Sequence, residues 1–161
     1  VLDIIKIDIR KSLNALNNFR YLPHRIELIK SSNNVNWYND SKSTNCASTK
    51  VALECINKKI ILILGGSMKD MSYESLNTLI NSKVKLVIFI GENKEYIKKQ
   101  LKITTKTIDA DSIESAVKIS QSHSLANDNI LLSPASPSFD MFADYEERGA
   151  AFISAVQNIA K

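Results

Sequence analysis

Lys59-Ile60-Ile61-Leu62-Ile63-Leu64-Gly65-Gly66 is the stretch on which the fold turns. Its five consecutive Ile and Leu side chains leave no polar face. Such a run reads as a strand buried on both sides, the habit of parallel sheets covered by helices. The glycine pair at its end marks a turn into the next element. The same pattern recurs at Lys85–Ile90, which stops at Gly91. Working toward the carboxyl end, helices are predicted near 73–81 and 92–100, then a short strand near 104–108. A helix over about 112–124, capped by Asp111, a strand at 129–133 and a final helix over about 144–159 complete this half. Toward the amino end, Thr44 is predicted to cap a helix running to about Ile56. Arg25–Ser32 and Val35–Asn39 read as strands joined by an Asn33-Asn34 turn. Strands alternating with helices imply an α/β domain, Rossmann-like, with a mostly parallel sheet, helices on both faces and an N-terminal β-hairpin.

The segment before the hairpin is different. Ile4, Ile5, Ile9, Leu13 and Leu16 form an approximate apolar stripe that predicts a helix near 4–18, and Leu22-Pro23 breaks it. Residues 1–22 are therefore expected to be the tail of a preceding element and a hinge, and residues 23–161 the domain. A net charge of +4 and a pI near 9.0 raise the question of nucleic acid. The basic side chains are mostly scattered lysines, such as Lys83, Lys85, Lys94, Lys98 and Lys99, without an arginine cluster or interleaved aromatics. A solvated surface fits them better than a nucleic-acid interface. No apolar run reaches the roughly 18 residues of a membrane span, and Val1–Ile9 does not read as a secretory signal. A soluble, cytoplasmic monomer is expected, with no nucleic-acid or membrane partner. Cys46 and Cys55 lie nine positions apart on one predicted helix. That is about 13 Å of rise, too far for a disulfide, and both are expected to be buried thiols.

In sheets of this kind ligands sit beyond the carboxyl ends of the strands. Four loops qualify: Asn39–Thr44, Gly65–Asp70, Gly91–Asn93 and Ser133–Phe139. Asp40-Ser41-Lys42-Ser43-Thr44-Asn45 sets a carboxylate, an ammonium and hydroxyls at a helix start, a place that favours anions. Read from its residues alone, it fits an ordinary capping loop equally. Gly65-Gly66-Ser67-Met68-Lys69-Asp70 ends near a lysine but lacks phosphate-loop spacing, so it is either a plain turn or a second lysine aimed at the same anion. Ser133-Pro134-Ala135-Ser136-Pro137-Ser138-Phe139 is hydroxyl-rich and stiffened by two prolines, which suits a carboxylate or a mere surface turn. Tyr145-Glu146-Glu147-Arg148-Gly149 reads as a solvated helix face. His24 and His123 read as structural or surface residues, and no nucleophile, histidine and acid arrangement stands out.

Taken together the loops resemble the Mur ligase family. The pieces are Leu22-Pro23-His24-Arg25, Asn39-Asp40-Ser41-Lys42-Ser43-Thr44-Asn45, Gly65-Gly66 with Lys69, and Leu131-Leu132-Ser133-Pro134-Ala135 with Ser138-Phe139-Asp140. Phe142 and Glu147-Arg148-Gly149 continue the match, and the pieces come in family order over nearly the whole chain. The D-S-K-x-T-N loop resembles that of the family member that adds D-glutamate, whereas other members carry a loop like D-Y-A-H.

The resemblance implies a C-terminal, amino-acid-binding domain of an enzyme that joins D-glutamate to UDP-N-acetylmuramoyl-L-alanine at the expense of ATP, with Mg2+ held mainly by a central domain. That central domain's phosphate loop, metal ligands and modified lysine have no counterpart here, so the chain alone is expected to be inactive. Residues 1–22 then correspond to the last central-domain helix and hinge. By the same resemblance, Arg25 and Asp40 complete the ATP site, Arg25 near phosphate and Asp40 at the ribose, with Lys42 also near phosphate. Lys42, Thr44 and Lys69 line the D-glutamate pocket, and Ser138, Phe139 and Tyr145 complete it, Phe139 through its backbone. Tyr145 stands where the family usually has Phe, and Met68 and Asp70 where it has small residues. The competing readings are a Mur-type domain for another amino acid, a non-catalytic nucleotide-binding module and a basic interaction protein.

Overall fold

The computed structural model describes residues 22–56 and 59–159, and the helix expected near 4–18 lies outside them. Two strands open the fold, β1 (Glu27–Ser32) and β2 (Val35–Asn39), followed by helix α1 (Cys46–Cys55) and strand β3 (Ile60–Gly65). A 3-10 turn (Glu74–Leu76) leads into α2 (Asn77–Lys83), β4 (Val84–Ile90), α3 (Lys94–Gln100) and β5 (Lys106–Asp109). The chain continues through α4 (Ile113–His123), β6 (Asn129–Leu132) and α5 (Tyr145–Gln157). The six strands form one sheet in the order β1-β2-β6-β3-β4-β5. Only the β1–β2 pair is antiparallel, its turn made by Asn33 and Asn34 at φ 53 and 58, a conformation that asparagine tolerates.

The run that opened the sequence reading occupies the sheet's interior: β3 lies between β6 and β4, and all six of its residues are buried. Side chains alternate across a strand. Ile60, Leu62 and Leu64 therefore join Ala52, Leu53, Leu76, Ile80 and Ile97 under α1, α2 and α3. Ile61 and Ile63 join Ile113, Val117, Phe152 and Val156 under α4 and α5. Helices cover both faces, and the parallel strands deliver four loops to one rim.

Several local expectations are corrected. Asn45, not Thr44, caps α1: its side chain accepts from the Ser48 N–H at 2.9 Å. Ser112, not Asp111, caps α4 through the Ser115 N–H at 3.1 Å. In both cases the oxygen that reaches the third amide ahead belongs to the next residue along. The helix predicted over 73–81 begins as the 3-10 turn and ends at Lys83. Cys46 is buried but Cys55 is exposed. Nine residues make two and a half helical turns, so the two thiols face opposite sides of α1. No helix among the described residues is long and apolar enough to cross a membrane.

Candidate functional site

The loop after β2 is held from inside. Asp40 donates its N–H to the Leu132 carbonyl at 2.8 Å, and its carboxylate is only 1% exposed. That carboxylate accepts from the Ile26 N–H at 3.2 Å, from the Ser133 hydroxyl at 2.7 Å and from the Ser43 hydroxyl. Burial pushes its pKa up, against the pull of these donors and of Arg25. Asp40 thus joins the loops after β2 and β6. Its neighbour Asn39 directs its amide oxygen to the Ser41 N–H at 3.1 Å, which turns Nδ2 toward His24 Nδ1 at 2.9 Å. Nδ1 must then accept, so the proton of neutral His24 sits on Nε2.

The loop after β3 needs its glycines. Gly65 and Gly66 lie at φ 122 and 154, and a Cβ on Gly66 would meet the Pro137 carbonyl at 2.2 Å. This close approach allows Ser67 N–H to reach Pro137 O at 2.9 Å. Asn93 completes the junction. Its Oδ1 accepts from Gly66 N–H at 3.0 Å, and its Nδ2 donates to Ser67 O at 2.9 Å and Ser136 Oγ at 2.8 Å. Asp140 accepts from the Ser67 hydroxyl at 3.2 Å and from the Glu92 N–H at 3.0 Å. All four loops are therefore stitched to one another.

Against this frame each candidate can be placed. Lys42 is half-buried, donates its backbone N–H to His24 O at 3.1 Å, and holds Nζ 5.1 Å from the Tyr145 ring centroid, a cation–π arrangement. Thr44 is half-buried at the entrance of α1, and Tyr145 is half-buried at the entrance of α5. The Tyr145 carbonyl accepts from the Ser41 hydroxyl at 2.8 Å. Lys69 is exposed, and its charge reaches Cys46 at the start of α1. Burial pushes that thiol up to about 11, and the nearby Lys69 only partly opposes it. Ser138 is buried, and its carbonyl accepts from Met141 and Phe142 at 3.1 and 2.9 Å. Phe139 beside it is 75% exposed. Arg25 and Asp40 line a hollow of about 250 Å³ with Ala47 and Ser48, at the side of α1. Lysine ammonium groups, hydroxyls and the start of α1 share this rim, the complement of a small anion. Among the described residues no group of three or more His, Cys, Asp or Glu side chains is placed to hold a metal ion.

The solvated-face reading of Tyr145–Gly149 fails at Arg148, which is fully buried. Its guanidinium donates to Ser41 and to the Ser136 and Pro137 carbonyls, and burial lowers its pKa to about 10, leaving it charged at neutral pH. Beside it, Gly149 lets α5 approach His24 closely. Here a Cβ would meet His24 Nδ1 at 2.1 Å. Asn93 lay within the Gly91–Asn93 loop expected at the rim, but nothing in the sequence marked its side chain as the link between loops.

The family described as Mur ligase, glutamate ligase domain matches residues 24–136. The UDP-N-acetylmuramoylalanine–D-glutamate ligase of Coxiella burnetii is 39% identical over 156 residues, covering 94% of this chain and 35% of that protein. Its counterpart in Geotalea daltonii is 43% identical over 150 residues, covering 93% of this chain and 33% of that protein. The chain thus spans about a third of the length of the relatives it matches. The crystal structure of a MurF ligase from Thermotoga maritima in complex with ADP superposes with a TM-score of 0.63 at 19% identity, over 99% of this chain and 37% of that one. That likeness bears on the fold alone. With a matched span of 113 residues (24–136) and relatives near 40% identity, this chain belongs to the Mur ligase family, in its glutamate ligase domain.

Proposed function

We propose that the chain is the C-terminal, amino-acid-binding domain of a cytoplasmic, ATP-dependent ligase that joins D-glutamate to UDP-N-acetylmuramoyl-L-alanine in peptidoglycan synthesis. In this reading residues 1–22 are the central domain's tail and the hinge, and residues 23–161 the domain. The observation that carries it is the junction of four loops at one rim, which brings the Lys42, Lys69 and Ser138 loops to the same end of the sheet. D-glutamate has two carboxylates, and ammonium groups, hydroxyls and backbone N–H groups are their ordinary partners. Lys42, Thr44, Lys69 and, beside Lys42, Tyr145 line one end of it; Ser138 and the Phe139 backbone take the distal carboxylate. Arg25, Asp40 and Lys42 face the nucleotide, Arg25 toward phosphate. The buried Asp40 carboxylate is already occupied by three donors, so its part at the ribose side is chiefly to hold the loop in shape.

The chemistry is amide formation. ATP phosphorylates the carboxylate of UDP-N-acetylmuramoyl-L-alanine and leaves as ADP, and the D-glutamate amine then displaces phosphate at the acyl carbon; Mg2+ is held mainly by the central domain. The residues of this chain hold the amino acid so that its amine faces the acyl carbon. Holding a nucleophile in line is worth several kcal/mol of barrier. Relatives named for D-glutamate favour that amino acid over others.

The test is D-glutamate incorporation by the complete ligase carrying this chain, against L-glutamate, L-alanine and L-lysine. Lys42→Ala is expected to lower kcat/KM at least about a hundredfold. Lys98→Ala is expected to change it little, because Lys98 is charge-matched on α3 by Glu95 and Asp109. Equal losses would remove Lys42 from the site, and preference for another amino acid would replace the substrate.

A further inference from the structure

Arg148 is the largest fully buried side chain among the described residues, and each of its nitrogens donates. Nε reaches Ser41 Oγ at 3.0 Å, and Nη2 reaches the Ser41 carbonyl at 2.8 Å. Nη1 is shared by the carbonyls of Ser136 and Pro137 at 3.0 and 3.1 Å. The third loop also touches the guanidinium: a Cβ on Gly66 would lie 3.1 Å from Nη1. Ser41 immediately precedes Lys42, and Pro137 immediately precedes Ser138. One planar fork therefore spans the two loops that carry opposite ends of the proposed amino-acid pocket.

No carboxylate among the described residues is within ion-pair distance of this cation, and Asp140 acts on it only at longer range. A buried charge with neutral partners is costly unless every donor is satisfied in good geometry. The core of the domain does not need it, since two large apolar clusters already cover both sheet faces. Beyond the Asp40–Ser133 link nearer the strand ends, the fork fixes the spacing of Ser41 and Ser136–Pro137. Its hold extends along its own helix, because the Ser41 hydroxyl that it engages donates in turn to the Tyr145 carbonyl. A lysine has three donors at one point and cannot reach both loops in this way.

We propose that Arg148 is a positioning residue that sets the separation of Lys42 and Ser138, and hence affinity for the amino-acid substrate; the inference rests on the function proposed above. The test compares the complete ligase carrying this chain with its Arg148→Lys and Ser41→Ala variants. KM for D-glutamate is expected to rise about tenfold in Arg148→Lys and about threefold in Ser41→Ala, with a smaller rise in KM for ATP, which Lys42 also faces. Amide hydrogen exchange at Lys42 and Ser138 is expected to quicken in both variants. A folded Arg148→Lys protein with unchanged KM for D-glutamate, or with equal rises for both substrates, overturns the proposal. Should Arg148→Lys fail to fold, unchanged KM and exchange in Ser41→Ala overturn it instead. If the unaltered ligase uses no D-glutamate, the functional reading falls, and unchanged exchange in the variants still decides against the clamp.

Discussion

Asp40 carries a charge that its surroundings resist and its hydrogen bonds favour, and burial is the larger influence. Its carboxyl therefore holds a proton more readily in the folded chain than in the unfolded one. Stability from this group is fully present below the ordinary carboxyl range and is lost as pH rises through the elevated folded value. Asp40→Asn removes the titration. Both Asp40 oxygens accept from hydroxyls or an N–H, and the Ser43 and Ser133 hydroxyls can turn to accept from an amide. The variant is expected to lose less stability than the native chain as pH rises above the ordinary carboxyl range, measured as the urea midpoint at each pH. A native chain whose midpoint climbs more steeply than the variant's above that range would show that the hydrogen bonds outweigh burial.

Helix α5 acts on the hairpin as well as on the core. Its inner residues Phe152 and Val156 pack beneath the sheet, and the Val156 carbonyl accepts from Lys30 of β1 at 3.0 Å. At its other end Gly149 lies against His24, whose φ of 60 is unusual for a residue other than glycine. The ring is further fixed by Asn39 and by the edge of Tyr145 at 6.1 Å between centroids. Gly149→Ala gains about 1 kcal/mol of helix propensity but drives a methyl into the His24 ring. A net loss of about 1–3 kcal/mol in chemical unfolding is expected, since overpacked sites cost that much or more. Stabilisation would mean that His24 moves away freely, and that α5 does not hold the residue beside the proposed hinge.

At the scale of the whole molecule, the proposed function makes this chain one side of a site. It spans about a third of its relatives, and its described residues place lysines, hydroxyls and a buried arginine around a rim. The purified chain is expected to release no phosphate from ATP and to form no product until the rest of the ligase is supplied. Phosphate release above background by the chain alone would contradict that division of labour. How much of this was readable beforehand depends on the range of the forces involved. Ile60–Leu64 and the Leu86–Ile90 part of the Lys85–Ile90 strand announce buried parallel strands because burial on two faces requires an unbroken apolar run, and parallel strands then place their loops at one end. The hairpin was equally plain in Asn33-Asn34, and the loop motifs named the family. Cap positions slipped by one residue at Asn45 and Ser112, since neighbouring polar side chains look alike until the backbone fixes which oxygen meets which amide. Arg148 lay beyond reach for a stronger reason. Its helix-start neighbours Glu146 and Glu147 are exposed, and charge alone predicts the same for it. Only folding brings the Ser41, Ser136 and Pro137 acceptors together from positions about a hundred residues apart in the chain, and a cation is buried where such acceptors converge.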